Sequence, residues 1–228
     1  MINIVCCLWG DWPEEGWGQE YVRRLYRGVR RNYHKPFQFT CFSDRASYDE
    51  WVNGITYKPL RAPSWMGCLP KTYVYSPQAH LTGRVLLFDL DNVITGPIDA
   101  LANYSGPLAV RGKFRGQMIP DGDMLAFEAG SPTAQLLWER IVSDPTAVEK
   151  STGGRERFYI RETIGGPIDM WQDILPTGTV LSYKNHLRGL PLPTETSVVS
   201  FHDGGTVGGA SRPHKLLDTV PWLKDHWR

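Results

Sequence analysis

Residues 84–98 read Arg84-Val-Leu-Leu-Phe-Asp-Leu-Asp-Asn-Val-Ile-Thr-Gly-Pro-Ile98, and the fold turns on how this stretch is understood. An apolar run from Val85 to Phe88 leads straight into Asp89-Leu90-Asp91. A short, unbroken apolar run predicts a strand buried on both faces, as in a parallel sheet. Side chains alternate along a strand, so Asp89 and Asp91 are expected on one side where it ends. Ligands of open α/β sheets bind beyond the carboxyl ends of the strands. Two carboxylates there suit a divalent cation. They equally suit a nucleophile and acid pair for phosphate chemistry.

The chain of 228 residues is long enough for one sizeable α/β domain, or at most two small ones. With 25 Lys and Arg against 24 Asp and Glu, its formal charge of +1 speaks against a nucleic-acid or membrane-surface field. A hydrophobic content of 41% argues for a folded globule. The nine tryptophans and ten tyrosines supply a core and flat faces for bases and sugar rings. Cys6, Cys7, Cys41 and Cys68 contain no CxxC pair. Those in strand-like runs are expected to be buried free thiols in a reducing compartment. No stretch approaches the ~18 consecutive apolar residues of a membrane span, and the N-terminus does not read as a signal peptide. The expectation is a soluble, cytoplasmic protein without a membrane span.

Around the central stretch, strands and helices alternate. Ile2 to Leu8 reads as a buried strand, followed by a Gly-rich, Trp-rich loop from Trp9. Gln19 to Tyr33 carries Tyr21, Val22, Leu25, Tyr26 and Val29 at helical spacing. Its arginines, Arg23, Arg24, Arg27, Arg30 and Arg31, read as a solvated face. Pro36 stops the helix, and Phe37 to Ser43 is a second strand with Asp44 at its tip. This βαβ order predicts a parallel sheet. Further strands are expected at Ile55–Leu60, Pro107–Arg111, Met124–Phe127, Thr179–Tyr183 and Ser197–His202. Helices are expected at Thr72–His80, Ile98–Tyr104, Pro132–Ser143 and Asp169–Ile174, with a short closing one near Val220–Trp227. Ser131 and Pro132 form a cap and first turn. Lys150 to Arg157 reads as a mobile loop, and Asp121-Gly-Asp123 precedes its strand as a second Asp-x-Asp. No linker divides the chain, so residues 1–228 read as one domain, with a nucleotide-binding half (1–95) and an acceptor-side half (96–228).

Phe88-Asp-Leu-Asp-Asn-Val-Ile-Thr95 resembles the first motif of haloacid-dehalogenase-like phosphatases, which would make Asp89 a nucleophile. That motif usually opens its domain on the first strand, whereas here a βαβ unit precedes it. A broader resemblance is to nucleotide-sugar glycosyltransferases of GT-A type, the family-8-like bacterial and phage enzymes. It rests on an ordered set: Trp9-Gly-Asp11, the Tyr21 to Tyr26 helix, Phe42-Ser-Asp44, Leu69-Pro-Lys71, the Leu87 to Ile94 segment with its DxD, Asp123 to Phe127, Val199-Ser-Phe-His202, and Arg212-Pro-His214.

The resemblance implies an α/β, Rossmann-like GT-A domain with a mixed, mainly parallel sheet flanked by helices. It implies a hexosyltransferase that moves a sugar from a nucleotide-sugar donor, a UDP-sugar, to a glycan or other hydroxyl acceptor. Asp89, Asp91 and His202 would hold Mn²⁺ or Mg²⁺, a Lewis acid for the leaving diphosphate. Trp9, Asp11, Asp44, Lys71, Asp89, Leu90, Asp123 and Arg212 would bind the donor, with Trp9 or Trp12 stacking on the base. Asp169, with Asp173 in reserve, would orient the acceptor or steady an oxocarbenium-like sugar, with retention of anomeric configuration. Two departures stand out. Asp203 to Ser211 separates His202 from Arg212, an insertion that could serve as a phosphate-cradling lid. The usual Gly-Asp-Gln segment is altered to Gly165-Gly-Pro-Ile-Asp169-Met-Trp-Gln-Asp173. A non-catalytic nucleotide or sugar binder is the remaining alternative.

Overall fold

The computed structural model describes residues 1–10, 18–46, 49–62, 64–114, 119–202 and 212–228. Asp11, Trp12 and the 203–211 insertion lie outside the described residues.

The opening βαβ unit forms as its pattern predicts. β1 (Ile2–Leu8) and β2 (Phe37–Ser43) pair in parallel, Ile2 with Phe37 through Leu8 with Ser43, and α1 (Gln19–Asn32) crosses between them. β3 (Glu50–Val52) is antiparallel to β4 (Ile55–Pro59), which pairs in parallel with β2. β5 (Arg84–Phe88) lies parallel to β1 on its other side. β6 (Asn92–Ile94) then leaves this sheet, and α2 (Asp99–Ala102) follows. β7 (Leu108–Gly112) and β8 (Pro120–Glu128) extend the sheet antiparallel to each other, with β8 against β5. After α3 (Pro132–Ser143), α4 (Pro145–Thr152) and α5 (Glu156–Ile164), β9 (Asp169–Met170) adds a short parallel edge to β7 and continues into α6 (Trp171–Ile174). The strand order is β3-β4-β2-β1-β5-β8-β7-β9. β10 (Val180–Ser182) and β11 (Val198–Ser200) join β6 in a second, three-stranded sheet; α7 (Pro213–Leu216) and α8 (Leu223–His226) follow.

Strand alternation sorts the core into two faces. Ile4, Cys6, Phe39, Leu86 and Phe88 pack with α1 and the small sheet, whereas Val5, Cys7, Phe42, Leu87 and Phe127 pack with α3 and α5. β5 is interior and fully buried from Val85 to Phe88, which is why it has no polar alternation. Gly28 on α1 lets the helix sit on β6, where an added Cβ would lie 3.2 Å from Ile94 Cβ.

Several local expectations are corrected. Thr72–His80 is not one helix but two 3₁₀ turns, Leu69–Tyr75 and Pro77–Ala79; Pro77 disfavours helix in the residue before it and supplies no N–H. Lys150–Arg157 is not a loop. α4 runs to Thr152, Gly153 and Gly154 stop it at positive φ, and α5 starts at Glu156. Asp121 and Asp123 lie within β8 rather than before it. The final strand belongs to the small sheet. The arginine face of α1 is not wholly solvated: Arg24 Nη1 donates to Trp227 O at 2.9 Å, and Arg31 bonds the carbonyls of His226 and Arg228. Cys6, Cys7 and Cys41 are buried and free, and Cys68 is exposed. No described helix is long and apolar enough to cross a membrane.

Trp171 locks the β9 edge to the sheet: it is fully buried and its indole N–H donates to Met124 O at 3.1 Å. Trp171→Ala is expected to cost about 3–5 kcal/mol, as aromatic truncations in packed cores do, read as a lower urea midpoint.

Candidate active site

β5 ends at Phe88, and Asn92 N donates to Asp89 O at 3.1 Å, closing a turn that delivers the chain into β6. Asp89-Leu90-Asp91 is therefore a turn at the step between the two sheets, not a continuing strand. Leu90 buries its side chain in the core, leaving only its backbone for a ligand. Both aspartates are half-buried.

Lys71, 3% exposed, is delivered by the first 3₁₀ turn. Its ammonium lies 2.7 Å from Asp89 Oδ1, 2.6 Å from Glu156 Oε2 and 2.8 Å from Gly122 O. Burial alone would lower its pKa, but Asp89 and Glu156 hold it well above the usual lysine range, so Lys71 is a fixed cation. Burial pushes Glu156 up to about 8 despite Lys71. Gly122 is required beside it: an added Cβ would collide with the Glu156 carboxylate.

Asp123, 5% exposed, is the junction of the cluster. The register of β7 on β8 jumps from Val110–Leu125 to Arg111–Asp121, and this bulge turns Asp123 toward the DxD turn. Its carbonyl accepts from Asp89 N at 2.7 Å and from Asn92 Nδ2 at 2.8 Å. Its carboxylate accepts from Arg111 Nε at 2.5 Å and Ser200 Oγ at 2.5 Å. Burial would raise its pKa, but Arg111 and Ser200 hold it below the usual carboxylate range.

β11 brings the distant residues in. Phe201 N donates to Asp91 O at 3.2 Å, which seats His202 next to the DxD turn in the chain path. The His202 ring stacks on Phe114, centroids 5.6 Å apart, and its Nε2 lies 2.7 Å from Ser182 Oγ. Arg212, 7% exposed, precedes α7. Burial raises the pKa of the Tyr21 hydroxyl; Asp91 raises it further and Arg212 opposes, so both act on one hydroxyl.

At the ends of β1 and β2, Gly10 N donates to Asp44 Oδ2 at 2.8 Å and Trp9 packs partly buried against the core. Asp169 and Asp173 are not joined to the cluster by any described contact. Asp169 is exposed on β9 and accepts from Tyr104 Oη at 2.7 Å, and Asp173 is exposed on α6. Gln172 between them braces β7, accepting from Gly112 N at 2.8 Å and donating to Gly112 O at 2.7 Å. Sequence reasoning missed Glu156, Arg111, Gln172 and Ser200. Only Ser200, two residues before His202 on the same strand, carried a period-two signal.

The cluster holds more negative charge than its cations neutralise. Asp91 has no side-chain hydrogen-bond or ion-pair partner among the described residues. Burial, with Asp89 and Asp123 close by, raises its pKa well above the usual range. Burial also raises Asp89, against Lys71. Hard oxygen donors with uncompensated charge fit Mn²⁺ or Mg²⁺. Among the described residues no three His, Cys, Asp or Glu side chains are already gathered to hold an ion, so His202 would have to turn from Ser182 to join Asp89 and Asp91.

Asp123→Asn removes one of the two carboxylates paired with buried Arg111, leaving Asp121, and is expected to cost about 1–3 kcal/mol in urea unfolding. Because the Glu156 pKa is raised in the fold, its contribution is most favourable below about pH 4.5 and is lost as pH rises toward about 8. The stability of Glu156→Gln relative to wild type should therefore improve across that window in thermal melts at stepped pH.

No family model and no curated protein sequence matches this chain. Its backbone is similar to solved glycosyltransferases. One is the galactosyltransferase LgtC in complex with donor and acceptor sugar analogues, at 10% identity and a TM-score of 0.61, covering 98% of this chain and 93% of that one. An active-site mutant of LgtC matches at 9% identity and a TM-score of 0.58 over the same shares. The glycosyltransferase GlyE of Streptococcus pneumoniae TIGR4 matches at 12% identity and a TM-score of 0.60, covering 98% of this chain and 62% of that one. The chain has the single-domain, mixed α/β fold of the GT-A glycosyltransferases.

Proposed function

We propose that this chain is a metal-dependent glycosyltransferase that moves a hexose from a nucleotide-sugar donor, UDP-linked, to a hydroxyl acceptor. One observation carries the reading. Asp89, Asp91, Lys71, Asp123 and the Ser200–His202 strand end converge where the chain steps from the main sheet into the small one. The fold shared with LgtC and GlyE supports it. The phosphatase alternative is weaker, because its motif opens a domain and here it closes the fifth strand.

Each residue takes a role from its surroundings. Trp9 offers a stacking face for the base, beside the Gly10–Asp44 clamp that shapes the loop there. Asp89 and Asp91, with His202, would hold the divalent ion, which supplies a Lewis acid for the diphosphate. Lys71 and Arg212 place fixed positive charge near the donor, where charge develops as the sugar leaves. Asp123 sets the angle of the DxD turn through its carbonyl. Asp169 and Asp173, exposed on β9 and α6, are proposed to orient the acceptor, together with retention of configuration.

UDP with Mn²⁺ is expected to raise the melting temperature more than either alone, and Asp89→Asn or Asp91→Asn should abolish that synergy and cut donor turnover by about 10²-fold or more. Stabilisation by UDP that is indifferent to metal and to both substitutions would refute the metal role. NMR of the product anomer tests retention.

A further inference from the structure

A pocket of about 190 Å³ opens beside His202, on a different wall from the DxD turn. Three separate elements send cations to it: Arg111 and Lys113 from the end of β7, Arg157 from the first turn of α5, and Lys184 from the turn after β10. Asp121 is the one carboxylate lining it among the described residues. Of the residues assigned to metal and diphosphate only His202 lines it; Asp89, Asp91, Lys71 and Arg212 do not, so the pocket adjoins that cluster without being it.

We propose that this pocket binds an anionic substituent, a carboxylate or a phosphate, carried by the transferred sugar or by the acceptor. The inference rests on the glycosyltransferase reading and narrows its substrate class. Asp121 is already shared, lying 2.9 Å from Arg111 Nη2 and 3.6 Å from Arg157 Nη2, and Asp123 occupies Arg111 Nε. One carboxylate thus serves two guanidinium groups at the pocket wall, and Lys113 adds an exposed cation to them. Arg111 is 1% exposed and held by both aspartates, so it gives the pocket wall a fixed positive backing rather than a free donor. The accessible cations are Lys113, Lys184 and Arg157, and a planar or tetrahedral anion can accept N–H bonds from several of them at once, with Arg111 as a buried positive backing. A neutral hydroxyl accepts a single such N–H and gains no charge complementarity from the exposed lysines and Arg157.

Phe114 closes one wall of the pocket. Arg111 lies over its ring at 4.7 Å from the centroid, and His202 stacks on it. The anion site thus shares a wall with a residue of the proposed metal set.

The test compares wild type with Arg157→Ala/Lys113→Ala and with Arg157→Lys. Lys113 is exposed and Arg157 half-exposed, so neither change opens the core; melting curves confirm folding. Binding of methyl glucuronide, glycerol phosphate and methyl glucoside is followed by NMR line broadening, and UDP with Mn²⁺ by calorimetry. The charged probes should bind wild type about 10-fold or more tighter than the neutral one. The double variant should lose that preference while its UDP affinity holds, and Arg157→Lys should retain part of it. Equal binding of charged and neutral probes to wild type, or a preference untouched in the double variant, overturns the proposal. UDP binding without an anion preference defeats the subsite alone. An anion preference without UDP binding defeats the glycosyltransferase reading and leaves the site standing. Faster donor hydrolysis of UDP-glucuronate than of UDP-glucose assigns the charge to the donor sugar; preference among free probes alone assigns it to the acceptor.

Discussion

Four hydrogen bonds meet on Asp123: two at its carbonyl, from Asp89 N and Asn92 Nδ2, and two at its carboxylate, from Arg111 and Ser200. Those partners come from the end of β5 and from β6, β7 and β11. A single buried residue therefore ties the large sheet to the small one and sets the orientation of the DxD turn. A buried carboxylate of this kind is tolerable only because each oxygen has a partner. The β7–β8 bulge is what makes the geometry reachable, since an unbroken ladder would keep Asp121 and Asp123 in strict alternation with Arg111.

Around that junction the charges divide into two populations. Lys71, Glu156 and Arg111 are buried and paired, and they form the frame. The Asp91 carboxylate is half-buried with no partner among the described residues, which makes it the part of the frame left open for a ligand. Fixed groups around an uncompensated one are the arrangement that electrostatic preorganisation requires, because the frame need not reorganise when charge arrives.

Much of this was legible in the sequence, and the limits have physical causes. The buried strand, the βαβ start and the α3 cap follow from local chemistry: an apolar run, a helical period, and Ser131 with Pro132. The approach of the β11 end to the DxD turn was expected from resemblance, and in space it depends on a strand pairing across more than a hundred positions. Glu156 was invisible because a glutamate within a polar segment, here between Arg155 and Arg157, is ordinarily solvent-facing. Only the glycine opposite it, Gly122, makes room for its burial. Arg111 was hidden by the bulge, since an unbroken register would set it opposite Met124, on the other face of the sheet from Asp121 and Asp123. Asp169 illustrates the converse. It was singled out by its place in an altered motif, and no pattern in the sequence foretold that its carboxylate would accept from Tyr104 at an exposed edge.

The contacts between α1 and the segment after Arg212 have a consequence for how the molecule assembles. Tyr21 meets His214 and packs edge-on against Trp227, and Arg24 stacks over that same tryptophan while bonding its carbonyl. These pairings span most of the chain, so the loop-closure entropy between them is borne late in folding. As the chain emerges from the ribosome, β1, β2 and β5 can pair and form the DxD turn early, but α1 keeps its outer flank open. Ser200, His202 and Arg212 reach the site in the same late step that covers α1. Completion of the proposed site is thereby coupled to the closing of the fold, and a chain lacking its last strand displays the DxD carboxylates without the strand end that carries His202.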